Sequence, residues 1–198
     1  MMNSKSIATL RILLYNLKKS TRRKKLILYP KAHFNNVKEI SIEFLEKNNI
    51  KALILDVDNT LIDIRHLENL FVHKNMTEDD YIELEKVYDK GIPIDQTIEI
   101  VNNFIDNGYK ILLVTARRNK PQIRRIMRLF IKDYFNKEDQ VELFLAPICN
   151  DNDYAVKKKM FEESIKDYYD ISLAIDDKDS ILNLWKEYNI PGLKVELV

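Results

Sequence analysis

Two carboxylates one residue apart, Asp56 and Asp58, follow the apolar run Leu53-Ile54-Leu55 and precede Asn59 and Thr60. A short apolar run bounded by polar residues suits a buried strand of a parallel sheet. Charged groups at the C-terminal end of such a strand lie where open α/β sheets bind ligands. Two acids there are costly to desolvate unless a cation or a proton compensates, so the pair points to metal-assisted chemistry.

Further groups fall near other strand ends: Thr115 with Arg117, Lys157 on an intervening helix, and Asp176 with Asp177. Together they supply what phosphoryl transfer to a carboxylate needs. Asp56 can attack phosphorus, because an aspartyl phosphate divides one hard hydrolysis into two easier steps. Asp58 is close enough to protonate the leaving oxygen and later to deprotonate water. Asp176 and Asp177 offer hard oxygen ligands for Mg²⁺, and Asp56 and Asp58 complete the candidate metal set. Thr115 can donate a hydrogen bond to a phosphoryl oxygen, and Lys157 can neutralise charge on nucleophile and phosphoryl group. Asn59 tolerates the tight backbone turn after the strand and is counted as a substrate-side candidate.

The elements that must position these groups alternate regularly. Strands are expected at 51–56, 109–115, 142–145, 171–176 and 193–197, and helices at 94–107, 119–133, 155–167 and 179–188. Pro93 and Gly108 bracket the first of these helices, as helix start and stop signals do. This alternation predicts a three-layer, doubly wound α/β fold with a parallel sheet. The insert at 62–91 stands outside the rhythm, and its composition suggests a loop and a short helix forming a minimal cap. Upstream, residues 1–49 read as a helical extension, with an amphipathic helix at 5–18, an extended piece at 26–30 and a helix at 37–47; the phosphatase-like unit is expected to span 50–198.

Composition narrows the classes. One cysteine, Cys149, excludes an internal disulfide framework and a thiolate metal cluster, and three glycines exclude a glycine-rich phosphate loop. The net charge of +1 hides an asymmetry: residues 1–38 carry ten Lys/Arg and no acid, whereas residues 51–198 carry 21 basic and 28 acidic residues. A basic arm on an acidic body is a candidate contact for nucleic acid or anionic lipid. Arg11 interrupts the one apolar N-terminal run, and no stretch approaches membrane-spanning length. The expectation is a cytoplasmic protein without a transmembrane segment; no protein partner is inferable. His33, His66 and His73 lack metal-ligand spacing, and Trp185 and the tyrosines read as packing residues.

Asp56-Val-Asp-Asn-Thr-Leu, Leu112-Leu-Val-Thr-Ala-Arg117, Lys157 and Ile175-Asp-Asp-Lys-Asp179 resemble, in order, the four motifs of haloacid dehalogenase (HAD) superfamily phosphatases. The resemblance covers about residues 50–197 and implies a Rossmann-like HAD fold and a Mg²⁺-dependent phosphomonoesterase acting through a phosphoaspartate. Asp153-Tyr-Ala-Val-Lys157 and the stretch from Leu173 are similar to the phosphatase half of polynucleotide kinase-phosphatases, which removes 3′-phosphates from nucleic-acid ends. That resemblance implies substrate-site roles for Arg117 and Asp153 and makes Lys157, rather than Lys158 or Lys159, the motif lysine. Asn59 stands where that family has glycine, and Thr115-Ala116 where it has Ser-Gly. The N-terminal half, from Leu28-Tyr-Pro through Val37-Lys-Glu-Ile to Ile50, resembles HAD subfamily III phosphatases instead, among them enzymes acting on phosphatidylglycerophosphate. A phosphorylated substrate is common to both, and the nucleic-acid and lipid alternatives stay open. A non-catalytic HAD module that binds a partner through the basic arm is the alternative of a different class.

Overall fold

A computed structural model describes residues 52–68, 77–148 and 151–196. The basic arm, its expected elements at 5–18, 26–30 and 37–47, and the boundary at 49/50 lie outside the described residues. The chain runs β1 (Ala52–Leu55), β2 (Ile62–Asp63), α1 (Arg65–Glu68), α2 (Glu78–Val87), β3 (Ile92–Pro93) and α3 (Asp95–Asp106). It continues through β4 (Lys110–Arg118), α4 (Pro121–Tyr134), β5 (Val141–Ala146), α5 (Asp153–Ser164), β6 (Ile171–Asp176), α6 (Asp179–Glu187) and β7 (Gly192–Lys194).

Strands β1, β4, β5, β6 and β7 form one parallel sheet in the order β5-β4-β1-β6-β7. The chain winds outward from β1 through β4 to β5, then crosses back to build the other half. The winding direction reverses between β1 and β6, so the segments leaving their C-terminal ends turn to opposite faces of the sheet and open the crevice where such sheets bind ligands.

Side-chain alternation along the strands divides the core into two layers. Leu53, Leu55, Ile111, Leu113, Leu173 and Ile175 face α3 and α4, with Phe104, Ile123 and Met127 packed among them. Ile54, Leu112, Val114 and Ala174 face α5 and α6, where Phe161 and the fully buried Trp185 meet edge to face at 5.5 Å between ring centroids. Each such aliphatic side chain removed from water stabilises the fold by roughly 1.5–3 kcal/mol. The sheet is therefore covered on both sides, the three-layer doubly wound α/β arrangement that the sequence predicts.

Several boundaries differ from the sequence reading, among them β7, at Gly192–Lys194 where 193–197 is expected, and the end of α5, at Ser164 rather than 167. Strand β4 runs to Arg118, three residues beyond the expected end, with a register irregularity between Thr115 and Arg118. Helix α5 starts two residues early because the Asn152 side chain accepts a hydrogen bond from Ala155 N at 2.9 Å and caps it. The insert holds more structure than a loop and one short helix: its β2 pairs antiparallel with β3 just beyond residue 91, and a Thr77/Asp80 capping box opens α2. Among the described residues no helix is long and apolar enough to cross a membrane.

Candidate active site

The segment after β1 is built to present two acids. Asp56 N donates to Ile175 O at 3.0 Å, carrying the β1–β6 ladder one residue past the strand. Val57 is wholly buried, so the extended alternation turns Asp56 and Asp58 toward one side. The chain then folds back, with Leu61 N and Ile62 N both donating to Val57 O at 2.8 and 3.0 Å. Asn59 makes this turn with φ of 58°, and its side-chain oxygen accepts from Ile64 N at 3.1 Å. Asparagine enters the left-handed region at lower cost than most residues, which is why it can stand here without a glycine.

Lys157 reaches the same point from α5. Val156, Met160 and Phe161 bury the helix against the sheet, which leaves Lys157 in its second turn aimed at the crevice. Its ammonium donates to Asp56 Oδ1 at 2.6 Å and to Asp176 Oδ2 at 2.8 Å. All three side chains are almost completely buried. Lys158 is half-buried and pairs with Glu187, and Lys159 is exposed.

Asp177 joins this cluster: one carboxylate oxygen from each of Asp56, Asp176 and Asp177 lies within 4.8 Å of the others. Three carboxylates against one ammonium leave an excess of negative charge in a buried site. Burial, with Asp176 and Asp58 nearby and against the pull of Lys157, pushes the Asp56 carboxyl up to about 7. Burial and the Asp56 charge push Asp177 up to about 6. Asp176 is raised chiefly by burial, although Lys157 and the Lys178 amide, which donates to it at 3.0 Å, oppose the rise. Burial disfavours the Lys157 ammonium, yet Asp56 and Asp176 outweigh it and hold the group charged. One oxygen of Asp177 is buried without a hydrogen-bond partner. A divalent cation fits this donor set: hard oxygens, excess negative charge and an unsatisfied ligand atom.

Asp58 lies beside this group and outside it. Arg117 Nη2 donates to Asp58 Oδ1 at 2.6 Å, and Nε donates to Oδ1 and Oδ2 at 3.0 and 3.2 Å. The irregularity in β4 turns Arg117 inward, where its side chain is fully buried. Its guanidinium stacks on Tyr88 with 4.1 Å between Cζ and the ring centroid, and Nη1 meets Met127 Sδ at 3.4 Å. The sequence groups Asp58 with the metal ligands; in the structure its carboxylate faces a guanidinium instead, and the remaining acids form the candidate cation site. Thr115 is buried on β4, and its hydroxyl accepts from Arg117 N at 3.2 Å. Asp153, at the N-terminus of α5, accepts from Lys178 Nζ at 2.5 Å on the rim. Burial would raise Asp153, but Lys178 holds it below the ordinary carboxylate range.

Two contributors carry no sequence signal of their own. Tyr88 comes from the insert, and nothing in its neighbourhood marks it as the platform for a buried arginine. Glu85, also in the insert and 3% exposed, accepts from Arg118 Nε at 2.6 Å and pairs with Lys120 at 3.0 Å. Lys178 stands between motif acids in Asp176-Asp-Lys-Asp179, a position that makes it readable as a neighbour of the site.

The family described as "Polynucleotide kinase PNKP phosphatase domain" matches residues 50–197. Two solved structures resemble the fold. One is "Structure of Pnkp1/Rnl/Hen1 complex", with 23% identity, a TM-score of 0.55, and coverage of 73% of this chain and 45% of the other. The second, "Structure of the Pnkp1/Rnl/Hen1 RNA repair complex", has 18% identity, a TM-score of 0.57, and coverage of 98% of this chain and 57% of the other. The chain thus spans about half the length of these two chains. No curated protein matches. With four motifs in place and the match running over three-quarters of its length, the chain belongs to the polynucleotide kinase PNKP phosphatase-domain family, within the HAD superfamily of phosphatases.

Proposed function

We propose that the protein is a Mg²⁺-dependent phosphomonoester hydrolase that works through a phosphoaspartate at Asp56, on 3′-phosphate ends of nucleic acid. The observation that carries the reading is the buried Lys157 ammonium shared between Asp56 and Asp176, with Asp177 within 4.8 Å. An ammonium in that position orients the Asp56 carboxylate and adds positive charge where an anionic phosphoryl group must approach.

In the first step an Asp56 oxygen bonds to phosphorus, the bond to the leaving oxygen breaks, and Asp58 gives that oxygen its proton. In the second, Asp58 takes a proton from water as the water oxygen bonds to phosphorus. The bond from Asp56 to phosphorus breaks, releasing inorganic phosphate and restoring the carboxylate. Arg117 fixes Asp58 in place through both steps, and Thr115 donates to a phosphoryl oxygen when substrate is bound. Asn59 shapes the turn beside the phosphoryl position, and Asp153 holds Lys178 on the substrate side of the rim. Asp56, Asp176 and Asp177 would hold the Mg²⁺, which would supply the charge that lets a carboxylate meet a phosphate.

The nucleic-acid substrate rests on membership of the family, whose description names polynucleotide kinase. The test is a substrate panel assayed with Mg²⁺ and with EDTA: 3′-phosphorylated oligonucleotides, phosphatidylglycerophosphate and an aryl phosphate. EDTA-sensitive release of phosphate, fastest from the oligonucleotides, supports the reading. Preference for the lipid would replace the substrate, and absence of Mg²⁺-dependent release from every member would overturn the activity.

A further inference from the structure

Outside the catalytic crevice, a groove of about 960 Å³ runs between α4 and the edge strand β5. Arg124, Arg125, Arg128 and Lys132 line one wall, and Val141 and Leu143 of β5 line the other. All four cations are exposed. Among the described residues none of them is paired with a carboxylate, whereas the neighbouring Arg117, Arg118 and Lys120 are all bound to Asp58 or Glu85. Residues 117–132 contain seven Lys/Arg and no acid, on a body with seven more acids than bases over 51–198. Two acids touch the groove. Glu142 is already paired with Lys110 and hydrogen-bonded by Tyr169, which leaves Glu138 against four cations.

We propose that this groove binds the phosphodiester backbone of a single-stranded nucleic acid that continues from the catalytic crevice. The inference rests on the nucleic-acid reading above and adds a place for the body of the strand. Arg124, Arg128 and Lys132 follow at four-residue intervals, each about 6 Å further along the helix. That repeat is on the scale of successive phosphates in an extended strand. Leu129, 47% exposed, and the half-buried Val141 and Leu143 offer apolar surface between the charges. A single strand, whose bases are free to contact such surface, matches alternating charge and apolar area better than a duplex does. The groove also begins in the right place. Its upper end is the start of α4, immediately after Arg117 and Arg118, where Asn119 N donates to Ala146 O at the C-terminal end of β5. The catalytic acids lie at that same end of the sheet. The chain's own basic arm, with ten cations and no acid over residues 1–38, does not complement this surface.

The test compares the full-length protein with an Arg125→Glu/Arg128→Glu variant, whose buried α4 side chains Ile123, Met127 and Phe130 are untouched. The probe is a short fluorescent oligouridylate ending in a 3′-hydroxyl, with the oligodeoxy counterpart as a second arm. Because neither carries a terminal phosphate, binding is read independently of phosphatase activity, and failure of the groove is separable from failure of the enzymatic reading. The variant should melt with the parent and bind about tenfold or more weaker. Its slope of log affinity against log salt should fall by roughly 0.7 for each phosphate that the protein no longer neutralises. Photocrosslinks from 4-thiouridine should map to the α4 and β5 peptides in the parent and disappear from them in the variant. Unchanged affinity and slope, crosslinks confined elsewhere, or equal binding of polyglutamate in competition would overturn the proposal; the last would assign the groove to an acidic peptide.

Discussion

Lys157 and Asp56 are 101 residues apart in sequence, and the ammonium of one meets the carboxylate of the other at 2.6 Å in the buried floor of the crevice. The same ammonium reaches Asp176, so one cation ties the second turn of α5 to the ends of β1 and β6. Replacing Lys157 by Met leaves three carboxylates crowded without their counter-charge. Turnover should fall by about 10²–10³, the scale of losing one preorganised charge at a reacting oxygen. Stability should drop too, because breaking a buried ion pair strands a charge. Steady-state kinetics with a thermal melt checks both. Lys158→Ala and Lys159→Ala, at positions outside the crevice, should stay within about twofold, as surface substitutions usually do.

The acid cluster makes the metal-free protein sensitive to pH. Asp56 and Asp177 have ordinary values near 3.8 but are pushed to about 7 and about 6, chiefly by burial. Between those limits the folded protein keeps protons that the unfolded chain has released. Stability in EDTA should therefore be greatest near the lower limit and fall as pH rises toward about 7, then level off. Saturating Mg²⁺ should restore most of the lost melting temperature at neutral pH and much less at low pH, because the cation binds the ionised acids. Melts across pH with EDTA and with Mg²⁺ check the sign; a metal-free protein that grows steadily more stable toward neutral pH would contradict it.

In the proposed mechanism Asp58, held by Arg117, serves the leaving group and Asp56 the attack. Asp58→Asn should lower kcat on a nucleoside 3′-phosphate by about 10²–10⁴, the usual range for a lost general acid. The loss should be far smaller for an aryl phosphate, whose leaving oxygen departs without help. Arg117→Ala should reproduce the same pattern, since Asp58 then loses the groups that hold it at 2.6 to 3.2 Å. Parallel kinetics on the two substrates tests this. Equal losses on both would remove Asp58 from the acid role.

The fold is legible in the sequence because its signals are local and repeated. Leu53-Ile-Leu, Ile111-Leu-Leu-Val and Leu173-Ala-Ile are buried runs, and the helices between them carry one apolar stripe each. Asp56, Asp176 and Lys157 are legible because charge at strand ends or beside them needs a chemical reason. The insert is less so. Tyr88 and Glu85 act through tertiary contacts, a ring under Arg117 and a carboxylate on Arg118, that no periodicity announces. The extension of β4 is hidden because Thr115-Ala-Arg-Arg118 breaks the apolar pattern while the backbone still pairs with β5.

Glu85 anchors the insert to the sheet through an ion pair in which both side chains are nearly buried. Glu85→Ala should destabilise the protein by about 3–5 kcal/mol, the scale of losing one member of a buried ion pair. Urea unfolding measures this directly. Turnover should fall as well, because α2 leads into Tyr88 and Tyr88 supports Arg117.

In the proposed mechanism phosphate passes covalently through Asp56. Rapid acid quench during turnover, followed by borohydride reduction and peptide mass spectrometry, reads this out, since an aspartyl phosphate is reduced to homoserine. Homoserine is expected at position 56, dependent on both substrate and Mg²⁺. An unmodified Asp56 peptide under conditions of full turnover, with reduction at another carboxylate or at none, would contradict the mechanism.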